Sequence, residues 1–383
     1  MENGKKKLYP MKFTPQTESC SWGTIETCIA DLGFIDTEAR NGWLACSTLS
    51  EVLETYLEDL VGENVYSCFG RQFPLMVRKL TVTGRTPLTV CPDDTVAEQR
   101  YDTLGKMKLW YITDADPGAA LYLGFESGIS AAELYDRCND GSLEEVLHRI
   151  APHKGDAFLI PPGTVHAASG KLAITEIAEC SDLDFRIFNW GDSSGAGEVS
   201  FTADTAGYGR EECGTADAVI SDTEKLSLEA AFDFLNMEAF DKSMYIPAGS
   251  RSNSPRDPAV RTVTDPDKNA GDIAARLATM KSFTVTEIRL KDAVHINTGT
   301  ADAFLIYICT GGSASLQIHR EESGIDSYRI IAGEVILVPA EVTDFFIVPE
   351  DRNTVLLEAT VEPHSEEDGY IDPEAEAVLP GEN

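Results

Sequence analysis

The sequence lacks the long apolar segments that would direct it into a membrane or out of the cell. No stretch of its 383 residues approaches the ~20 consecutive apolar residues of a membrane span. Its first ten residues, MENGKKKLYP, lack the apolar segment of a secretory signal. The sequence therefore predicts a cytoplasmic protein without a membrane partner.

Paired cysteines and positive charge are also scarce. The nine cysteines lie singly between Cys20 and Cys309 without a C-x-x-C pair, which suits a reducing compartment better than a disulfide framework. With 31 basic residues against 64 acidic ones, the formal net charge of −33 would repel nucleic acid from most of the surface. We expect no nucleic-acid partner, and an anionic substrate would need a local basic pocket. The sequence leaves the oligomeric state undetermined.

What the sequence does contain is many short apolar runs separated by Gly, Pro and Asp. Runs of this length predict the strands of a β-sandwich or barrel. In the first half they are Phe73–Leu80, Leu109–Thr113, Ala120–Phe125, Ala157–Ile160, Leu172–Ile177 and Phe185–Trp190. In the second half they are Phe283–Leu290, Ala303–Cys309, Ser315–His319, Tyr328–Ile331, Glu334–Val338, Phe345–Val348 and Thr354–Ala359.

Helical spacing, with apolar residues three and four apart, occurs in fewer places. The predicted helices are Ser47–Val61, Ser130–Arg137, Leu143–Ile150 and Leu226–Met237. Ser142 and Glu145 predict a capping box. We expect a helical insertion at about 127–150, beside the substrate pocket of the protein.

The length and an internal repeat predict two related domains. A chain of 383 residues exceeds the size at which one core usually stops growing. GDAFLIPPGT at Gly155 is answered by GEVILVPAEV at Gly333. We predict an N-terminal domain with the pocket at 1–215, a C-terminal domain without a site of its own at 216–363, and a disordered acidic tail at 364–383. Segments 191–217 and 249–271 are predicted loops, the first an insertion or a lid.

One motif carries recognisable chemistry. Residues Gly155 to His166 fit G-x5-P-x-G-x-x-H, the second half-motif of cupin barrels, with Pro161 and Gly163 in place. In this motif a strand ends in a Pro-Gly turn and the histidine projects inward from the next strand. His166 is therefore a candidate metal ligand, and the alternative is a hydrogen-bonded core histidine.

Several longer stretches, in order along the chain, resemble the type I mannose-6-phosphate isomerase family. FPLMVRKL at Phe73 is similar to the family's FPLLIKF, LTVCPDD at Leu88 to SVQVHPDD, GKMKLWYI at Gly105 to GKTEMWYI, GDAFLIPPGTVHA at Gly155 to GDVFFIPAGTVHA, and EIAECSDLDFRIFNWG at Glu176 to EIQQSSDTTYRLYDW. The resemblance covers roughly residues 8–190. It implies a mainly β fold with two cupin (double-stranded β-helix, jelly-roll) domains and helical insertions, and the interconversion of mannose 6-phosphate and fructose 6-phosphate.

The family's metal-binding positions have mostly changed. Members hold zinc or a similar ion with Gln and His of QVH, Glu of GKTE and His of the PAGTVH turn. The corresponding residues here are, in order, Thr89, Cys91, Lys108 and His166. A lysine ammonium is a competing cation rather than a ligand, and Cys91 with His166 makes too few donors. We predict that zinc is absent or weakly bound unless Glu176 or Asp93 is recruited.

The resemblance also assigns roles around the sugar phosphate. Arg78, Lys106, Glu176 and Arg186 are predicted to bind substrate, and Lys106, Lys108 and Arg186 are candidate catalytic residues. Replacing Glu by Lys raises the local charge by two units, while losing a divalent cation lowers it by two. Lys108 is therefore predicted either to replace the metal electrostatically or to point to solvent.

Three functions remain open on these grounds. The first is a divergent mannose-6-phosphate isomerase, and the second is a catalytically inactive relative that binds a sugar phosphate or a partner protein. The third is a cupin enzyme with another substrate, which would require thiolate character at Cys91. A Lys108 side chain that faces the pocket next to His166 would favour binding.

Overall fold

The structure is a computed structural model that describes residues 6–188, 190, 228–248, 274–280, 282–299, 301–320 and 324–361. The predicted loops at 191–217 and 249–271, the boundary at 215/216 and the tail at 364–383 lie outside the described residues. The two-domain division with these bounds stays a prediction.

Short antiparallel strands dominate the first part of the described chain. They are β1 (Phe13–Thr14), β2 (Gln16–Cys20), β3 (Gly23–Ile29), β4 (Glu38–Ala39), β5 (Leu75–Val82), β6 (Leu88–Val90), β7 (Lys108–Ala115), β8 (Ala120–Phe125), β9 (Leu147–Ile150), β10 (Ala157–Ile160), β11 (His166–Ser169), β12 (Leu172–Glu179), β13 (Phe185–Phe188) and β14 (Tyr245–Ile246). Seven of them form a large sheet in the order β14-β10-β7-β12-β5-β3-β2, and five form a smaller sheet in the order β13-β6-β11-β8-β9.

A second pair of antiparallel sheets follows along the chain. Its strands are β15 (Ala274–Thr279), β16 (Thr284–Leu290), β17 (Val294–Asn297), β18 (Leu305–Gly311), β19 (Ser313–Arg320), β20 (Gly324–Ile331), β21 (Val335–Val338), β22 (Asp344–Pro349) and β23 (Thr354–Thr360). The sheet orders are β15-β16-β23-β18-β21 and β17-β22-β19-β20. The predicted mainly β, jelly-roll architecture is confirmed.

Helices cap and cover these sheets. They are α1 (Leu49–Tyr56), α2 (Glu58–Val61), α3 (Glu63–Phe69), α4 (Asp94–Tyr101) and α5 (Ala131–Asp140), with 3-10 turns at Gly42–Leu44, Leu143–Val146 and Lys242–Met244. Thr48 and Glu51 form a capping box that starts α1, because each side chain satisfies a backbone N–H of the other residue. No described helix combines the length and apolarity needed to cross a membrane.

Period-two alternation explains how each pair of sheets makes a core. Along β7, for example, Trp110 and Ile112 face the core between the large and small sheets, while Leu109 and Tyr111 face the opposite side. That opposite side packs on α1, α2 and α3 and on the outer face of the second unit's five-stranded sheet, including Ile306. The large sheet therefore has two buried faces.

The predicted elements differ from the observed ones mainly at helices. Strands Ala120–Phe125 and Ala157–Ile160 are confirmed with their predicted bounds. The predicted helix Leu143–Ile150 is wrong, since a 3-10 turn leads into β9, and the side chain of Ser142 makes no cap hydrogen bond. Of the helix predicted to end at Met237, only residues 228–231 are helical among the described ones.

The insertion expected beside the pocket lies elsewhere. Leu134 and Cys138 of α5 pack on the outer face of the small sheet, in a cluster with Leu88 and Ala167. Helix α5 therefore supports the strands of the site from behind. The amphipathic pattern correctly identified the helix, but the face of the sheet that it covers was set by the tertiary packing.

The internal repeat marks equivalent positions in the two sheet pairs. Gly155 and Gly333 both have positive φ, of 89° and 88°, and each begins the turn before β10 or β21. In register, Trp110 lies opposite Phe158 as Tyr307 lies opposite Ile336. The repeat is therefore structural as well as sequential.

A buried hydrogen bond between the two sheet pairs can be tested directly. The Tyr111 hydroxyl donates to Oε2 of Glu287, 2.8 Å away, and both side chains are buried. Tyr111→Phe removes this donor from a buried carboxylate, so we expect the free energy of unfolding to fall by about 1–2 kcal/mol in urea titrations. The matched control is Tyr135→Phe at an exposed tyrosine of α5, where a change as large as in Tyr111→Phe would contradict this account.

Candidate functional site

The register of three adjacent strands brings charged side chains together on the inner face of the large sheet. On β12, Glu176 lies opposite Arg78 of β5 and opposite Trp110 of β7. Two residues further along, Ala178 lies opposite Lys108. Because side chains alternate with period two, Arg78, Lys108, Trp110 and Glu176 all point into the space between the sheets.

The facing small sheet supplies the other wall. His166 at the start of β11 pairs with Thr89 of β6, and Thr89 also lies opposite Arg186 of β13. The Pro-Gly turn before β11 places His166. Gly163 has φ of +80°, and an added Cβ would lie 2.5 Å from the carbonyl oxygen of Phe234, so only glycine fits there.

Asp184 is the anion on which three cations converge. It accepts a hydrogen bond from Lys106 Nζ at 2.5 Å, contacts Lys108 Nζ, and lies 3.4 Å from Arg78 Nη2. We call these four residues and Glu176 the central ion cluster. The three cations hold the pKa of Asp184 well below its ordinary value, although burial alone would raise it.

Glu176 is the second carboxylate of the cluster, and its side chain is 1% exposed. It accepts from Arg78 Nε at 2.7 Å and from the indole Nε1 of Trp110 at 2.8 Å. Burial would raise the pKa of this carboxyl, but Arg78 and the neighbouring lysines lower it to about 2. Three cations against two carboxylates leave one net positive charge in a strongly acidic protein.

Lys108 faces the pocket next to His166. Its Nζ lies 3.1 Å from Nε2 of His166 and 3.8 Å from Oε2 of Glu176. Burial would lower the pKa of Lys108, but the negative charges of Asp184 and Glu176 raise it above the ordinary value of a lysine. The lysine is therefore a charged ammonium, and the alternative in which it points to solvent is wrong.

His166 is neutral in this setting. Burial and the nearby Lys108 ammonium lower its pKa to about 3. Its Nδ1 lies 2.9 Å from the carbonyl oxygen of Thr164, which can only accept, so Nδ1 carries the proton. Nε2 is then the acceptor for the Lys108 ammonium.

The cavity above the cluster has a volume of about 200 Å³. Its polar lining includes Arg78, Lys108, His166, Glu176, Asp184 and Arg186. Its apolar rim comes from the strand and loop at 20–35, where the ring of Phe34 is 59% exposed and Trp22 lies nearby. Apolar walls with a few convergent polar groups are typical of small-molecule sites.

Most predicted site residues come together here, with two differences of position. Lys106 has no exposed side-chain surface and lies behind Asp184, and it is not among the described residues that line the cavity. Cys91 is also buried behind Asp184 and donates its thiol to Oδ1 at 3.1 Å. Burial raises the pKa of Cys91 to about 12, so it lacks the thiolate character that the third hypothesis requires.

Sequence reasoning missed Asp184, although a signal was present. The quoted family stretch EIQQSSDTTYRLYDW has threonine where this chain has Asp184, two residues before Arg186. A new carboxylate that accompanies a new lysine indicates a compensating pair, and the two side chains are in contact. Asp93 was one of two groups that a metal site here would have had to recruit, and its side chain instead caps α4.

The site contains donors that could hold a metal ion, but their arrangement does not fit one. Atoms of Cys91, His166 and Asp184 lie within 4.8 Å of one another. However, the Lys108 ammonium contacts both His166 Nε2 and Asp184. A divalent ion would need those same lone pairs.

Relatives of this chain are named for one activity. Mannose-6-phosphate isomerase ManA of Bacillus subtilis is 27% identical over 209 residues, covering 50% of this chain and 64% of that protein. Mannose-6-phosphate isomerase of Streptococcus mutans is 32% identical over 118 residues, covering 31% of this chain and 37% of that protein. The chain spans 48% and 47% of two further relatives from Bacillus subtilis. No protein-family model matches.

A solved structure extends the comparison over nearly the whole fold. The mannose 6-phosphate isomerase from Bacillus subtilis superposes with a TM-score of 0.68 at 22% identity, covering 92% of this chain and 99% of that one. At this sequence identity the superposition shows similarity of fold alone, whereas the relatives above show similarity of sequence. The chain is thus similar to mannose-6-phosphate isomerases in sequence over part of its length and in fold over most of it.

Proposed function

We propose that this protein isomerises a sugar phosphate of the mannose 6-phosphate class between its aldose and ketose forms. The observation that carries the proposal is the convergence of Arg78, Lys108, His166, Glu176 and Arg186 on one cavity. Positive charge collected at one place attracts an anionic substrate to a protein that otherwise repels anions.

Binding would use both kinds of wall. The guanidinium of Arg186 offers the forked donors that suit a phosphate, and it lies on the cavity surface with Arg78. Trp22 and Phe34 offer apolar surface at the rim for the carbon face of a sugar. The substrate would then lie across the central ion cluster.

The reaction removes a proton from the carbon beside the carbonyl and returns it to the former carbonyl carbon. A hydroxyl proton moves in parallel from one oxygen to the other, so aldose and ketose remain isomers. Asp184 is the most accessible carboxylate of the cluster, at 23% exposed, and is proposed as the proton acceptor. Lys108 is adjacent and is proposed to stabilise the enediolate oxygen that forms.

A second candidate is a pocket that binds the sugar phosphate without turning it over. The observation that favours it is the contact of Lys108 with His166, since a basic lining without the family's ligand set suits binding. Both carboxylates of the cluster are also held by cations, which makes them weak bases.

The experiment that separates these candidates measures turnover and binding on one sample. Chelator-treated protein is assayed for conversion of mannose 6-phosphate to fructose 6-phosphate and titrated with mannose 6-phosphate by calorimetry. Turnover supports the isomerase, and binding without turnover supports the second candidate. If the protein neither binds nor converts the substrate, both proposals fail.

Arg186→Gln tests the position of the phosphate. Loss of a charge-assisted fork is expected to weaken binding of mannose 6-phosphate roughly 10-fold or more. Arg71→Gln is the matched control, because Arg71 is exposed and is not among the residues that line the cavity. Equal affinities of the two variants would place the phosphate elsewhere.

The depressed carboxyl pKa values predict that the protein loses stability at acidic pH. An unfolded glutamate has a pKa of about 4.3, whereas Glu176 titrates at about 2 in the folded protein. The contribution of Glu176 is complete above the unfolded value and is lost as the pH falls toward 2. We expect the free energy of unfolding to decrease below about pH 5.

Glu176→Gln should reduce this loss of stability at acidic pH and lower the stability at neutral pH by about 3 kcal/mol, because Arg78 loses the nearer of its two charged partners. Urea unfolding from pH 7 to pH 3 measures both effects. Glu133→Gln, at an exposed ion pair of α5, is the control. If Glu176→Gln loses as much stability at acidic pH as the wild-type protein, that loss does not come from Glu176.

A further inference from the structure

One nitrogen lies where the donor atoms of the site converge. Lys108 Nζ contacts Asp184 Oδ1 and lies 3.1 Å from His166 Nε2. The thiol of Cys91 donates to that same Asp184 oxygen at 3.1 Å. These donors form a group compact enough for a metal ion, and the ammonium is the cation that two of them contact.

The surroundings of His166 are those of a ligating histidine. Metal-bound histidines usually donate their second ring N–H to a carbonyl or carboxylate, which fixes the tautomer and aims the other nitrogen at the ion. Here Nδ1 lies 2.9 Å from the carbonyl oxygen of Thr164, and Nε2 is aimed at Lys108. The hydrogen bond that orients a ligating histidine is therefore present, and the atom that Nε2 contacts is the Lys108 ammonium nitrogen.

We infer that Lys108 is a built-in cation that takes the place of a divalent ion in this pocket and keeps such an ion out. The ammonium is covalently attached, so it needs no metal supply. Its charge is balanced by Asp184, the carboxylate that accompanies it. The site would therefore act on its ligand without a metal cofactor.

The ammonium also has a donor to offer. It carries three N–H bonds, and His166 and Asp184 accept two of them within hydrogen-bond distance. The carboxylate of Glu176, at 3.8 Å, lies beyond that distance. The third N–H can meet a substrate oxygen, a role that rests on the function proposed above. Exclusion of a metal does not depend on it.

The inference is tested by removing the Lys108 ammonium and measuring whether the site then binds a metal ion. Wild-type protein, Lys108→Ala and Lys108→Glu are treated with chelator and titrated with Co²⁺, and visible absorption reports ligation by imidazole and thiolate. We expect Lys108→Glu, which replaces the ammonium by a carboxylate, to bind one Co²⁺ per chain roughly 100-fold more tightly than wild type. Lys108→Ala, which only removes the ammonium, should gain about 10-fold.

Controls locate the site and separate it from net charge. Adding His166→Gln to Lys108→Glu should abolish the absorption. Lys154→Glu makes the same charge change at an exposed position and should leave Co²⁺ binding as in wild type. Lys108→Ala adds no buried carboxylate, so it keeps the test informative if Lys108→Glu does not fold.

Two results would overturn the inference. One is a wild-type protein that binds one Co²⁺ as tightly as Lys108→Glu and loses it with His166→Gln. The other is a pair of folded Lys108 variants that bind Co²⁺ no more tightly than wild type. Neither measurement includes a sugar phosphate, so failure of the proposed isomerase or binding activity would leave this result intact.

Discussion

The site depends on the contact of one carboxylate, Asp184, with three cations. Lys106 and Lys108 are buried, and isolated ammonium groups at such positions would lose their protons or destabilise the fold. Asp184 offers both ammonium groups a negatively charged partner, and Glu176 does the same for the Arg78 guanidinium. The cluster is costly to desolvate and even costlier to break, which is why we assign it to function rather than to stability.

Similarity of fold and similarity of the site separate at this cluster. The fold matches that of a solved mannose 6-phosphate isomerase over 92% of this chain, and a relative named for that activity matches 50% of the sequence. Lys108 and Asp184 both differ from the family stretches quoted above, and their side chains form an ion pair. A fold can keep its pocket while the source of positive charge within it changes.

The second sheet pair shows what the same framework becomes without the cluster. Glu358 lies opposite Tyr307, as Glu176 lies opposite Trp110, and accepts its hydroxyl at 2.6 Å. Around that pair the interior is filled by apolar side chains such as Phe345 and Leu316. The buried carboxylate of Glu358 and the Tyr307 hydroxyl form a structural hydrogen bond there.

The sequence by itself determined many of the longer strands and the cupin turn at His166, because apolar runs and Pro-Gly turns are local signals, and it carried the resemblance to mannose-6-phosphate isomerases. Through the resemblance it assigned Arg78, Glu176 and Arg186 to the substrate site, while it left Lys108 between the pocket and solvent. Only the tertiary structure decided that Lys108 faces His166 and that Asp184 is its partner. The reason is physical: the register between strands far apart in sequence, and the desolvation they create, set which charges meet.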